Sequence, residues 1–200
     1  MELVFATNNK HKIREISDLL DNNFRVLGLA DLGINEEIPE EAETLEENAL
    51  FKARYVHEKT GLNVFADDTG LEVDALGGAP GVYSARYAGE SKSFDDNIEK
   101  LLRELQDVTG RSARFRTVIA LILDDSEYLF EGTVEGEIIR ERRGNGGFGY
   151  DPVFIASGYD LTFAEIPLGE KNRISHRAKA MRKLIGFLRG ENRTGADSNR

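Results

Sequence analysis

Cysteine and tryptophan are absent from the 200 residues, and there are only three histidines, four prolines and two methionines. Without cysteine the chain can have no disulfide scaffold, no thiolate metal site and no thiol nucleophile, and its composition fits a reducing compartment. The histidines, at 11, 57 and 176, are dispersed. A His-rich zinc site is therefore disfavoured, and any metal is expected to take oxygen ligands, as magnesium or manganese does. Long hydrophobic runs are also missing. The longest, Val118 to Leu123, is far too short to cross a bilayer, and no signal peptide opens the chain, so a cytoplasmic location and no membrane partner are expected. A net charge of −10 disfavours non-specific binding to nucleic acid.

A hydrophobic content of 40% over this length can fill one substantial core. Residues 1–189 are expected to form a single domain. Residues 190–200 carry no large apolar side chain and are expected to be a disordered tail. Charge is unevenly spread: seven glutamates lie between Glu36 and Glu47, whereas six lysines or arginines and His176 lie between Lys171 and Lys183.

The opening run Glu2–Ala6 predicts a buried strand. A polar turn, Thr7-Asn8-Asn9, leads into a helix marked by Ile13, Ile16, Leu19 and Leu20. Lys10 and Lys12 at that helix start oppose its dipole unless an anion joins them, so the turn is either a phosphate site or an ordinary solvated helix entry. Phe24–Leu29 suggests a second strand, followed by a long acidic loop to Glu43. Thr44-Leu45-Glu46-Glu47 has the form of a capping box opening a helix that ends before Gly61.

Asn63–Ala66 reads as a buried strand, expected to stop at Gly70 just after Asp67 and Asp68. Two adjacent acids at a strand end repel each other and call for a divalent metal or basic side chains; a solvated turn is the alternative. Ser93 is expected to cap a helix in which Phe94, Ile98, Leu101, Leu102 and Leu105 pack a core. A hairpin turning at Asp124-Asp125-Ser126 follows, then a separate strand from Gly132. Gly144–Gly149 satisfies G-x-G-x-x-G but runs into Tyr150-Asp151-Pro152 rather than opening a helix, so it is not a dinucleotide fingerprint. Its Phe148 and Tyr150 are candidates either for the core or for stacking on a base. Ser175 should cap a final helix whose first residues, His176 and Arg177, offer donors to a carbonyl or phosphate oxygen.

Taken together, Thr7–Lys12, Ala66–Leu71, Gly77–Arg86, Gly147–Pro152 and Glu170–Arg177 closely resemble the motifs of the inosine triphosphate pyrophosphatase family, in order and spacing over residues 2 to about 188. The resemblance implies an elongated, two-lobed α/β fold, with a central mixed β-sheet flanked by helices and an active-site cleft between the lobes. It implies a homodimer, and magnesium-dependent hydrolysis of inosine, deoxyinosine and xanthosine triphosphates to monophosphate and pyrophosphate. By the same resemblance, Thr7, Asn8, Asn9, Lys10, His11 and Lys12 form the triphosphate-binding turn, and Lys52 contacts phosphate. Glu40 binds metal, with Glu41 and Glu43 its close alternatives. Asp68 is proton acceptor and metal ligand, Asp67 beside it is a further metal ligand, and Thr69 contacts substrate. Phe148, Gly149, Tyr150, Asp151, Lys171, His176 and Arg177 make the base pocket.

Overall fold

The computed structural model describes residues 1–17, 19–20 and 23–191. The expected tail at 190–200 therefore lies almost wholly outside the described residues. Among the described residues, seven strands form one mixed sheet: β1 (Glu2–Phe5), β2 (Arg25–Gly28), β3 (Val64–Val73), β4 (Pro80–Gly81), β5 (Ser112–Leu123), β6 (Ser126–Ile138) and β7 (Phe154–Ala156). Their order is β2-β1-β3-β5-β6-β7, with β4 paired to β3. β1 runs parallel to both β2 and β3, while β3, β5, β6 and β7 are antiparallel neighbours. The helices are α1 (Lys10–Ser17), α2 (Leu45–Thr60), α3 (Phe94–Glu104), α4 (Leu168–Ile174) and α5 (His176–Leu188).

The alternation of side chains along each strand sorts the core into two faces. Val4, Val64, Ala66, Val118 and Ala120 pack beneath Ala49, Ala53 and Val56 of α2. The alternate residues Leu3, Phe5, Phe65, Ile119 and Leu121 pack against Met181 and Leu184 of α5 and Ile16 of α1. A third cluster, from Leu71 through Ile98, Leu101, Phe115 and Phe154 to Phe163, fills the other end of the long strands. The expected helix signals are present. The Thr44 side chain accepts from the Glu47 amide, and Gly61 ends α2 in the left-handed conformation. Ser93 and Ser175 cap α3 and α5 in the same manner.

Two strand expectations are corrected. β3 does not stop at Gly70 but continues to Val73. Gly70 serves a close approach instead, since a Cβ there would lie 2.6 Å from the Gly81 carbonyl oxygen. The residues 126–138 form one strand, not two, with Gly132 in its middle. A Cβ at Gly132 would sit 2.1 Å from the His176 carbonyl oxygen. That missing atom lets the first turn of α5 rest directly on β6.

Candidate active site

The site begins at an interruption in the sheet. On its β5 side β3 is paired from Val64 to Val73. On the other side β1 stops at Phe65 and β4 begins at Leu71. Between them the strand edge is open. The backbone groups there need other partners, and the Asp67 carbonyl takes two lysines, Lys52 Nζ at 2.8 Å and Lys12 Nζ at 3.3 Å. A cavity of about 440 Å³ opens over this gap, within the range of about 300–1,000 Å³ typical of small-molecule sites.

Because neighbouring residues of a strand face opposite ways, Asp67 and Asp68 do not repel each other across a shared pocket as adjacent acids at a strand end would. Asp68 faces α2. Its Oδ2 accepts from Asn48 Nδ2 at 3.0 Å and its Oδ1 from the Thr69 amide at 2.9 Å. Lys52 Nζ stands 3.9 Å from Asp68 Oδ1 and donates to Glu40 Oε1, so one ammonium is shared by two carboxylates. Burial pushes the Asp68 carboxyl above its ordinary value; Lys52 opposes that rise and Glu40 adds to it. Burial also works to raise Glu40, but Lys52 and Lys12 outweigh it and hold that carboxyl low. Of the two carboxylates, Glu40 has the direct contact with the ammonium.

Asp67 faces α5, where Arg177 Nε donates to its Oδ2 at 3.1 Å and Lys12 Nζ lies 3.0 Å from its Oδ1. Burial would raise its pKa, yet Lys12 and Arg177 keep it far below the usual carboxylate range. Asp67 thus anchors two cations on the face opposite Asp68 and Glu40.

The first turn is built as a cap. Asn9 Oδ1 accepts from the His11 and Lys12 amides at 3.0 and 3.2 Å, and Thr7 Oγ1 from the Asn9 amide at 3.2 Å. Thr7, Asn8, Asn9 and Lys12 line the cavity. Lys10 and His11 are exposed and do not, although His11 stacks on Phe148 with ring centroids 5.0 Å apart.

At the far end Lys171 and Arg177 are 3% and 1% exposed. Lys171 Nζ donates to Asp151 Oδ2 at 2.6 Å and to Glu15 Oε1 at 2.7 Å; Arg177 reaches Glu15 Oε2, Asp67 and, at 3.2 Å, Thr69 Oγ1. Asp151 also accepts from the Phe148 amide at 2.8 Å, which ties the glycine-rich loop to α4. Three of the five N–H donors of Arg177 and two of the three of Lys171 are engaged, which leaves both cations capacity for a ligand.

Gly149 and His176 line the cavity. The imidazole of His176 stacks on Phe115 at 4.7 Å; burial, then Arg177 and Lys171, hold it neutral. Tyr150 is 4% exposed and its hydroxyl donates to the Ser84 carbonyl at 2.9 Å, so it serves as packed wall.

Of the site residues not anticipated, two stand out. Glu15 reads in the sequence as a charge on an amphipathic helix, yet it is 4% exposed and bridges Lys171 and Arg177. Phe94 was expected in the core of α3, but it is 41% exposed and lines the cavity. It shares the helical spacing of Ile98 and Leu101, but it stands at the helix's first residue, where the core gives way to the cavity.

The chain matches the Ham1 family over residues 3–187. It is 54% identical over 189 residues to a Flavobacterium psychrophilum protein named dITP/XTP pyrophosphatase, covering 94% of this chain and all of that one. It is 56% identical over 188 residues to a Porphyromonas gingivalis protein of the same name, covering 94% and 97%. Among solved structures, the Staphylococcus aureus Ham1 protein superimposes with a TM-score of 0.87 at 43% identity, covering 96% of this chain and 100% of the other. A HAM1 protein from Coxiella burnetii gives 0.87 at 40%, covering 95% and 99%.

Proposed function

The chain belongs to the Ham1 family, and on that premise we propose that it hydrolyses inosine, deoxyinosine and xanthosine triphosphates to the monophosphate and pyrophosphate. The observation that carries the reading is that Asp68 and Arg177, 109 positions apart in the chain, line the same cavity as Lys12 and Lys52.

In this reading Asp68 takes a proton from water as the water oxygen bonds to the α-phosphorus and the bond to the bridging oxygen breaks. Lys12 and Lys52 turn from the Asp67 carbonyl to the phosphates and stabilise the departing pyrophosphate. Glu40 and Asp68 are two hard oxygen donors and fit a divalent cation such as magnesium or manganese. Among the described residues no cluster of three or more His, Cys, Asp or Glu could hold an ion unaided, so substrate oxygens would complete its shell. The ion, when bound, neutralises phosphate charge. Asp67 is assigned to holding Lys12 and Arg177 rather than to the metal.

Selectivity follows from hydrogen-bond polarity. The spare donors of Arg177 and Lys171 suit the 6-keto oxygen of hypoxanthine and xanthine, whereas the amino group of adenine would set donor against donor. Each such mismatch costs about 1–3 kcal/mol. Homodimeric assembly, implied by the family resemblance, and a cytoplasmic location, expected from the short apolar runs, belong to the same proposal. No helix among the described residues is long and apolar enough to cross a membrane.

The test is incubation with inosine triphosphate and magnesium, followed by product identification. Monophosphate with pyrophosphate is expected; diphosphate with orthophosphate would overturn the reading.

A further inference from the structure

The leading residue of α3 carries a role that the family motifs do not assign. In the apolar stripe of this helix Ile98 and Leu101 are at most 1% exposed, as is Leu105 just past its end, yet Phe94 is 41% exposed. A single exposed apolar side chain needs no explanation of its own. Here the ring faces a cavity. Phe94 lines it together with Lys92 and Asn97 of the same segment. It stands 6.1 Å from the Phe148 ring at 48° and edge-on to His11 at 6.3 Å. The Phe148 ring is in turn overlain by Lys171 Nζ at 5.1 Å and Arg177 Cζ at 5.6 Å, the two cations assigned to the base. Phe94 is therefore next to the place where a nucleobase would lie.

We propose that Phe94 is a substrate-contacting residue which, with Phe148, forms an aromatic wall for the nucleobase and favours the two-ring purine over a one-ring pyrimidine. The inference rests on the nucleotide reading above and deepens it. Every base has a π face, so such a wall adds affinity without reading functional groups, and it adds more for the larger ring system. It cannot distinguish hypoxanthine from xanthine, because a phenyl ring has neither donor nor acceptor. That discrimination stays with Lys171 and Arg177, and the gain from Phe94 is common to both substrates.

The test is steady-state kinetics of the parent, Phe94→Ala and Phe94→Leu with inosine, xanthosine and deoxyuridine triphosphates, alongside calorimetric titration with inosine monophosphate. Phe94 is exposed, so its truncation opens no core cavity; Phe94→Leu keeps apolar bulk without the ring and guards against a folding defect in the alanine variant. The expected result is a rise in KM of about tenfold for both purine substrates in Phe94→Ala, with kcat little changed and weaker monophosphate binding; base–aromatic stacking accounts for an effect of that order. The purine-to-pyrimidine ratio of kcat/KM should narrow, and Phe94→Leu should fall between. A KM for inosine triphosphate within twofold of the parent, or a loss confined to kcat, would overturn the proposal. A parent enzyme that releases no pyrophosphate would instead refute the nucleotide reading, a separate result.

Discussion

Glu15 and Arg177 meet across 162 positions of sequence, the carboxylate of the first helix accepting from the guanidinium at the start of the last. The other Glu15 oxygen takes Lys171, so one buried carboxylate fixes both cations of the base end. Burial would raise the pKa of Glu15, but Arg177 and Lys171 more than offset it and the group is held low. A carboxylate depressed in the folded state contributes stability above its unfolded pKa, and that contribution is lost as pH falls through the depressed value. Glu15→Gln should therefore destabilise the fold at pH 7 by about 3–5 kcal/mol, the usual loss when one partner of a buried ion pair is removed. It should also raise KM for inosine triphosphate. Urea denaturation at pH 7 and pH 3 checks the first part, with the gap between parent and variant narrowing at the lower pH.

Asp68→Asn should keep the fold and lose turnover by on the order of a thousandfold, the scale of general-base catalysis. The asparagine carbonyl can still accept from Asn48 or the Thr69 amide, the two hydrogen bonds that seat Asp68. The check is pyrophosphate release with a melting curve beside it. Turnover within tenfold of the parent would remove Asp68 from the proton-accepting role.

Lys52 shares its ammonium between Glu40 and Asp68 and so stands where a cation is wanted. Lys52→Met should tighten binding of manganese to the nucleotide-free protein by about tenfold, because two carboxylates lose a competing positive charge. Turnover should fall at the same time. Electron paramagnetic resonance titration of free manganese measures the affinity directly; unchanged or weaker binding would mean that Lys52 does not compete with the ion.

His176 is neutral because burial, Arg177 and Lys171 disfavour its charged form. The unfolded chain, whose imidazole titrates near its ordinary value, binds this proton first as pH falls. Stability should thus decline from about pH 6.5 downward, the opposite of a histidine that gains an anionic partner. His176→Phe retains the stack on Phe115 and removes the titration. Its urea midpoint should fall less steeply than the parent's between pH 7 and pH 5.

Local chemistry made several of these elements legible. Thr44, Ser93 and Ser175 precede apolar periodicity and cap their helices, and the Asp124-Asp125 turn takes the two positive φ angles a tight hairpin needs. What escaped depends on contacts between distant segments. Gly70 and Gly132 look like strand breakers, but each is a point where another backbone comes close, and neither Gly81 nor His176 can be paired with them from sequence alone. The seven-residue α4 carries a glycine and too few turns for a period to emerge. Glu15 has the spacing of a solvated charge, and only the fold brings Lys171 to it. The motif residues themselves were recognisable, whereas the division of Asp67 and Asp68 between two faces needed the knowledge that the strand runs on.

The interruption between β1 and β4 along β3 has a consequence for how this sheet can change. Extending the two neighbours across residues 66–70 would zip up the bare edge, satisfy the Asp67 carbonyl with an amide, and seal the chamber. A better-bonded sheet here is a dead enzyme. Substitutions that lengthen these short strands should gain stability while erasing activity, so thermostability and turnover pull against each other along residues 66–70.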